Sequence, residues 1–169
     1  MPRYNDIRDR IRGGDIIALT HTSWASWYDL QVQFVRLGTQ SEYCHVGQVW
    51  PVAGRLFVIE SVTPTVRLVP LSNFAAEGFY WIPLDAPMSD AELEHALNQV
   101  GRGAYSKWQA ILGGLRSLRI GADALWQCAE FVIANRRLSG IDLGPKATPS
   151  AVVLAAQQAG APVYFIQGD

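Results

Sequence analysis

The sequence predicts an α+β domain in which an antiparallel sheet packs against helices. Two observations carry that expectation. The first half of the chain alternates short runs rich in β-branched and aromatic residues with glycine- and proline-containing turns, and the second half carries apolar residues at helical spacing. A last run, Pro162-Val163-Tyr164-Phe165-Ile166, reads as a strand that closes the order strands, helices, strand.

Taken in order, residues 4–12 read as a short amphipathic helix stopped by Gly13-Gly14, and Asp15 to Leu19 as a strand. Apolar positions from Trp24 to Leu37 recur at helical spacing up to Gly38, a glycine placed where helices end. Residues 43–50 and 55–62 are the strongest strand signals, and the linker Pro51-Val52-Ala53-Gly54 makes them an antiparallel hairpin. Strands over 65–70 and 78–84 continue the sheet. Ser89-Asp90-Ala91-Glu92 has the pattern of a capped, acidic helix start, for a helix ending near Gly101. Further helices are expected over 105–115, 126–138 and 148–159.

A chain of 169 residues with 49% hydrophobic and 17% charged residues has the composition of one globular domain, taken as 1–169. The net charge of -1 gives no reason to expect nucleic-acid binding. Arg8, Arg10 and Arg12 near the start, and Arg136-Arg137 at the end of a helix, read as solvated charges. The first residues contain no apolar segment of the signal-peptide kind, and no apolar run is long enough to span a bilayer. A cytoplasmic location is therefore expected, with release by lysis or non-classical export as the exception. Neither Cys-x-x-Cys nor His-x-x-x-His spacing occurs, so neither a metal nor another cofactor is expected. The oligomeric state is left open.

Three residues stand out chemically. His45 lies in an apolar strand, two places from Gly47 on the same face, which leaves room for a group to approach the imidazole. Glu60 lies in Phe57-Val58-Ile59-Glu60-Ser61-Val62, where a carboxylate is costly unless it is paired. On the expected hairpin both can face the same side, and a carboxylate beside an imidazole is the orienting half of a catalytic dyad. Cys128, in Trp126-Gln127-Cys128-Ala129-Glu130-Phe131-Val132, falls in the first turn of a helix if that helix starts near Trp126. There the helix dipole favours a thiolate, although a free cysteine among Ala129, Phe131, Val132 and Ile133 is usually packing. Cys44 faces away from His45 and reads as core, His95 as an exposed helix-surface residue, and His21 as a loop residue with no supported role.

The ordered set Gly14-Asp15-Ile16-Ile17, Tyr43-Cys44-His45-Val46-Gly47, Glu60, Tyr105 and Cys128-Ala129-Glu130-Phe131-Val132 resembles the circularly permuted papain-like hydrolases, the YiiX-type branch of the NlpC-like superfamily. The resemblance covers roughly residues 13 to 155. It implies a papain-like antiparallel sheet or small barrel packed against helices. It also implies Cys128 as nucleophile, His45 as general base and acid, and Glu60 as the residue orienting His45. The backbone amide of Cys128 would be an oxyanion donor, and Tyr105 and Trp126 are the candidates for substrate contact. Ala129 replaces a frequent serine, and Ser106 follows Tyr105 where an aspartate is frequent. The implied activity is cleavage of a peptide or cell-wall peptide amide through an acyl-thioester. Lipid or acyl-ester hydrolysis or acyl transfer on the same triad is one alternative, and an inactive binding domain of the same fold is the other.

Overall fold

The structure, a computed structural model, describes residues 1–20, 42–62, 65–101 and 120–168, the stretch 120–127 as helical backbone. The helices expected over 24–37 and 105–115, and with them His21, Tyr105 and the side chain of Trp126, lie outside the described residues.

The chain opens with α1 (Tyr4–Ile7) and a 3-10 turn (Arg8–Arg10), followed by β1 (Ile16–Leu19). Next come β2 (His45–Val52), β3 (Arg55–Val62), β4 (Thr65–Pro70), the short helix α2 (Ser72–Ala75) and β5 (Phe79–Ile82). Helices α3 (Asp90–Gln99), α4 (Ile120–Leu138) and α5 (Pro149–Gln158) precede the last strand, β6 (Tyr164–Ile166). The expected Ser89 cap is present, its hydroxyl accepting from the Glu92 amide at 3.2 Å. Thr148 caps α5 in the same way. The turn helix α2 has no counterpart in the sequence pattern. Among the described residues no helix is long and apolar enough to cross a membrane.

The six strands form one antiparallel sheet in the order β4-β3-β2-β1-β5-β6. It is an open sheet and not a small barrel. Closure would pair β4 with β6, but β6 has only three residues and the outer edge of β4 carries the Val66–Val100 bridge instead. The β2–β3 hairpin turns on Ala53-Gly54 alone, because Val52 already pairs with Arg55. Both turn residues have positive φ, 49° and 76°, which matches the twist of the strands they join.

Strand alternation gives the sheet two buried faces. Ile16, Ala18, Val46 and Ile82 pack on α4 and α5 through Ala129, Val132, Val152 and Ala156. Ile17, Val49, Val58 and Trp81 pack on the N-terminal segment through Tyr4, Ile7 and Ile11. Asp15 fastens that segment to β5. Its carboxylate accepts from the Arg12 amide (2.9 Å), the Trp81 indole (2.8 Å) and the Leu84 amide (3.1 Å). Burial pushes its pKa up against the pull of these donors.

A buried polar network locks α3 and α4 to β2, and it corrects two sequence expectations. Arg136 is fully buried instead of solvated, as is Glu92. Its Nη1 donates to both Glu92 oxygens (3.2 and 2.9 Å) and its Nη2 to the Ala86 carbonyl (2.7 Å). Gln48 and Ser139 also donate to Glu92. A Cβ at Gly14 would meet Arg136 Nη1 at 2.5 Å, so that glycine provides the guanidinium's space. His95 is half-buried, not exposed, with Nδ1 2.6 Å from Asn135 Oδ1. Arg137 keeps its expected exposed place, with Asp142 3.7 Å away.

Glu92→Ala leaves the Arg136 charge buried without its partner and is expected to cost about 3–5 kcal/mol in urea unfolding. Arg137→Ala, on the exposed side of the same helix, should stay within about 0.5 kcal/mol of the native chain. Equal effects of the two substitutions would contradict this account of the network.

Candidate active site

His45 is the first residue of β2, opposite Leu19 of β1. The preceding Cys44 amide donates to the Leu19 carbonyl at 2.9 Å, one residue out of register. Two residues of the entering chain therefore meet Leu19, a bulge-type irregularity of the kind that bends a strand and re-aims a side chain. Cys44 is half-buried, not core, and its thiol also donates to the Leu19 carbonyl at 3.3 Å.

Glu60 reaches His45 because Gly47 lets it. Gln48 pairs with Ile59, and the same register places Gly47 opposite Glu60. A Cβ on Gly47 would lie 2.5 Å from Val58 Cγ1 and 3.4 Å from Glu60 Cβ. The space that the sequence left beside the imidazole is thus filled by the neighbouring strand. Glu60 is 1% exposed, and its Oε2 lies 2.6 Å from His45 Nε2.

The other oxygen of Glu60 is held by a residue that sequence reasoning missed. Arg67 pairs directly with Glu60 across β3 and β4. Its Nε and Nη2 both lie 2.7 Å from Oε1. Only once the β3–β4 register is known does an alternating strand show that its single arginine faces the buried glutamate.

Cys128 is fully buried on α4, and its sulfur is hydrogen-bonded and charge-coupled to the His45 side chain. With Nε2 turned to Glu60, Nδ1 is the ring nitrogen left for the sulfur. The structure therefore brings Cys128, His45 and Glu60 together and adds Arg67 behind Glu60. It also corrects the setting of Cys128. Helix α4 runs from Ile120, so Cys128 sits in its third turn. An amide that far inside a helix is committed to the carbonyl four residues earlier, which removes it as an oxyanion donor and removes the end-of-helix dipole argument.

The charges of the site reinforce one another. Burial lowers the His45 pKa, but the Cys128 sulfur and the Glu60 carboxylate more than reverse this and raise it to about 10. Burial likewise pushes Glu60 up, and hydrogen bonds and charge from His45 and Arg67 bring it below its ordinary value. The favoured state is an imidazolium held between a sulfur and a carboxylate. Among the described residues no group of three or more His, Cys, Asp or Glu side chains is arranged to hold a metal ion.

No protein family and no curated protein matches the sequence. Among solved structures, the chain is similar to one described as metalloprotein yiiX from Escherichia coli O157:H7, DUF1105. The TM-score is 0.53 at 20% identity, over 79% of this chain and 69% of that one. The fold is YiiX-like.

Gly47→Ala drives a methyl group into Val58 and should cost about 1–3 kcal/mol by overpacking. Adding Val58→Ala should recover part of that loss, and a fully additive double variant would contradict the proposed clash. The His45 titration has a definite sign as well. A folded value of about 10 above an ordinary 6.5 means that the stabilisation is complete below pH 6.5 and lost as pH rises through about 10. The stability gap between the native chain and His45→Gln should accordingly narrow between pH 6.5 and 10. A gap that stays constant or widens over that window counts against the imidazolium.

Proposed function

We propose that the chain is a cysteine hydrolase that cleaves an amide, of a peptide or a cell-wall peptide, through an acyl-thioester. The observation that carries this reading is His45, whose Nε2 lies 2.6 Å from Glu60 Oε2 and whose side chain is hydrogen-bonded to Cys128. Cys128 Sγ, as thiolate, attacks the carbonyl carbon. The C–N bond breaks as His45 passes its proton to the leaving amine, which leaves the acyl group on sulfur. Neutral His45 then takes a proton from water as the water oxygen bonds to the thioester carbon, the C–S bond breaks, and the carboxylic acid is released, which leaves the imidazolium–thiolate pair restored. Glu60 holds the ring and favours its charged form throughout.

The word metalloprotein belongs to the structural neighbour. In this chain both Glu60 oxygens are already engaged, by His45 and Arg67, and the described residues offer no metal-binding group. These residues do not fit a metal ion.

A second reading, an inactive binding domain of the same fold, draws on one observation: Cys128 is fully buried and lies inside a helix. The two readings separate on thiol chemistry. The hydrolase predicts that Cys128 keeps most of its iodoacetamide reactivity at pH 6 and loses it in His45→Ala. An ordinary thiol slows by nearly two orders of magnitude between pH 8 and 6. A thiol-directed activity probe should label the native chain and not Cys128→Ala, after which peptides, amides and acyl esters are screened as substrates. Ordinary reactivity that is indifferent to His45 would favour the binding domain.

A further inference from the structure

We propose that Arg67 is a positioning residue, which keeps the Glu60 carboxylate charged and so keeps the proton shared between Glu60 and His45 on the imidazole. The inference rests on the cysteine-hydrolase reading and extends it by one residue.

Glu60 is 1% exposed, so water does little to stabilise its charge. Among the described residues the titratable or charged groups facing it are His45 on β2 and Arg67 on β4, with Cys128 on α4 beyond His45. The proton between His45 Nε2 and Glu60 Oε2, 2.6 Å apart, has two places to rest. On Nε2 it gives an imidazolium and a carboxylate. On Oε2 it gives a neutral ring and a neutral acid, and the ring is then no longer the acid that a leaving amine requires. A poorly solvated site favours the neutral pair unless a further charge opposes it.

Arg67 supplies that charge. Two of its nitrogens converge on Oε1 at 2.7 Å, which fixes the carboxylate's plane and leaves Oε2 for His45. It also covers the half of the cycle in which His45 is neutral, when Glu60 would otherwise be a buried charge with no cation beside it. Because the arginine side chain is itself 52% exposed, its guanidinium carries its charge without full desolvation, and its replacement opens no buried cavity.

The test compares the native chain with Arg67→Gln, which removes the charge, and Arg67→Lys, which keeps the charge and loses the fork. Two readouts are taken on folded protein. Carboxyl 13C NMR follows Glu60, assigned by the signal missing in Glu60→Gln. Mass spectrometry follows iodoacetamide alkylation at Cys128 against pH.

Arg67→Gln should raise the Glu60 midpoint by one unit or more, as loss of an adjacent opposite charge does. It should slow alkylation at pH 6 at least fivefold, on the order of what one unit confers. Arg67→Lys should fall between the two on both readouts, and it carries the test alone if Arg67→Gln does not fold. A Glu60 midpoint that moves by less than about 0.3 units, well inside a one-unit effect, overturns the proposal. So does an unchanged alkylation profile alongside a shifted Glu60, because Arg67 would then be a structural ion pair only. A native Cys128 that alkylates like a free thiol while Glu60 still shifts sinks the hydrolase reading itself, and with it any dyad for Arg67 to position.

Discussion

A carboxylate buried in the middle of a sheet is the constraint around which this site is organised. Glu60 has almost no access to water, so its charge depends on what the two neighbouring strands bring to it. One brings an imidazole and the other a guanidinium, each to a different oxygen. That arrangement needs three consecutive antiparallel strands in one fixed register. A slip of one residue would turn every side chain of the slipped strand to the opposite face. The tight Ala53-Gly54 turn and the absent Cβ at Gly47 are the local features that hold it. Chemistry and strand pairing are therefore the same problem in β2, β3 and β4.

The helix that carries Cys128 is fixed by a different device. On its sheet side Ala129 and Val132 join the apolar cluster around Val46 and Ile16. Two turns further along, Asn135 and Arg136 enter the network of Gln48 and Glu92. From Cys128 to Asn135 the helix advances ~10 Å, and from His45 to Gln48 the strand also advances ~10 Å. The two contacts thus act as matched anchor points, and the polar one sets where along β2 the cysteine comes to rest. Apolar packing alone tolerates sliding. A buried arginine that must reach one carboxylate and one carbonyl does not.

Much of this was legible in the sequence, for reasons that differ by element. The strands over 45–70 announce themselves through alternation and turn residues, and Ser89 and Thr148 announce helix starts because capping is a local interaction. His45 and Glu60 were visible because a polar residue in an apolar strand demands a partner. Arg67 was not, since its partner is set by a pairing register that no single strand contains. Arg136 and His95 were misread for a related reason. Each looks like a helix-surface residue until helix packing, which is long-range, encloses it. The position of Cys128 inside its helix shows the converse limit, because the stretch Trp126 to Leu138 looks the same at a helix start as further along a helix. The Gly14-Asp15 pair finds a structural explanation, one residue making room for a guanidinium and the other collecting three N–H donors.

The sulfur and the carboxylate that flank His45 favour its imidazolium form. Titration of the His45 ring nitrogens by 15N NMR, in the native chain and in Cys128→Ala, tests this directly. The account predicts a ring that stays protonated well above pH 7 in the native chain, and a midpoint that falls towards the ordinary value of about 6.5 when the sulfur is removed. A native His45 that titrates near 6.5, with no response to the loss of Cys128, would contradict it.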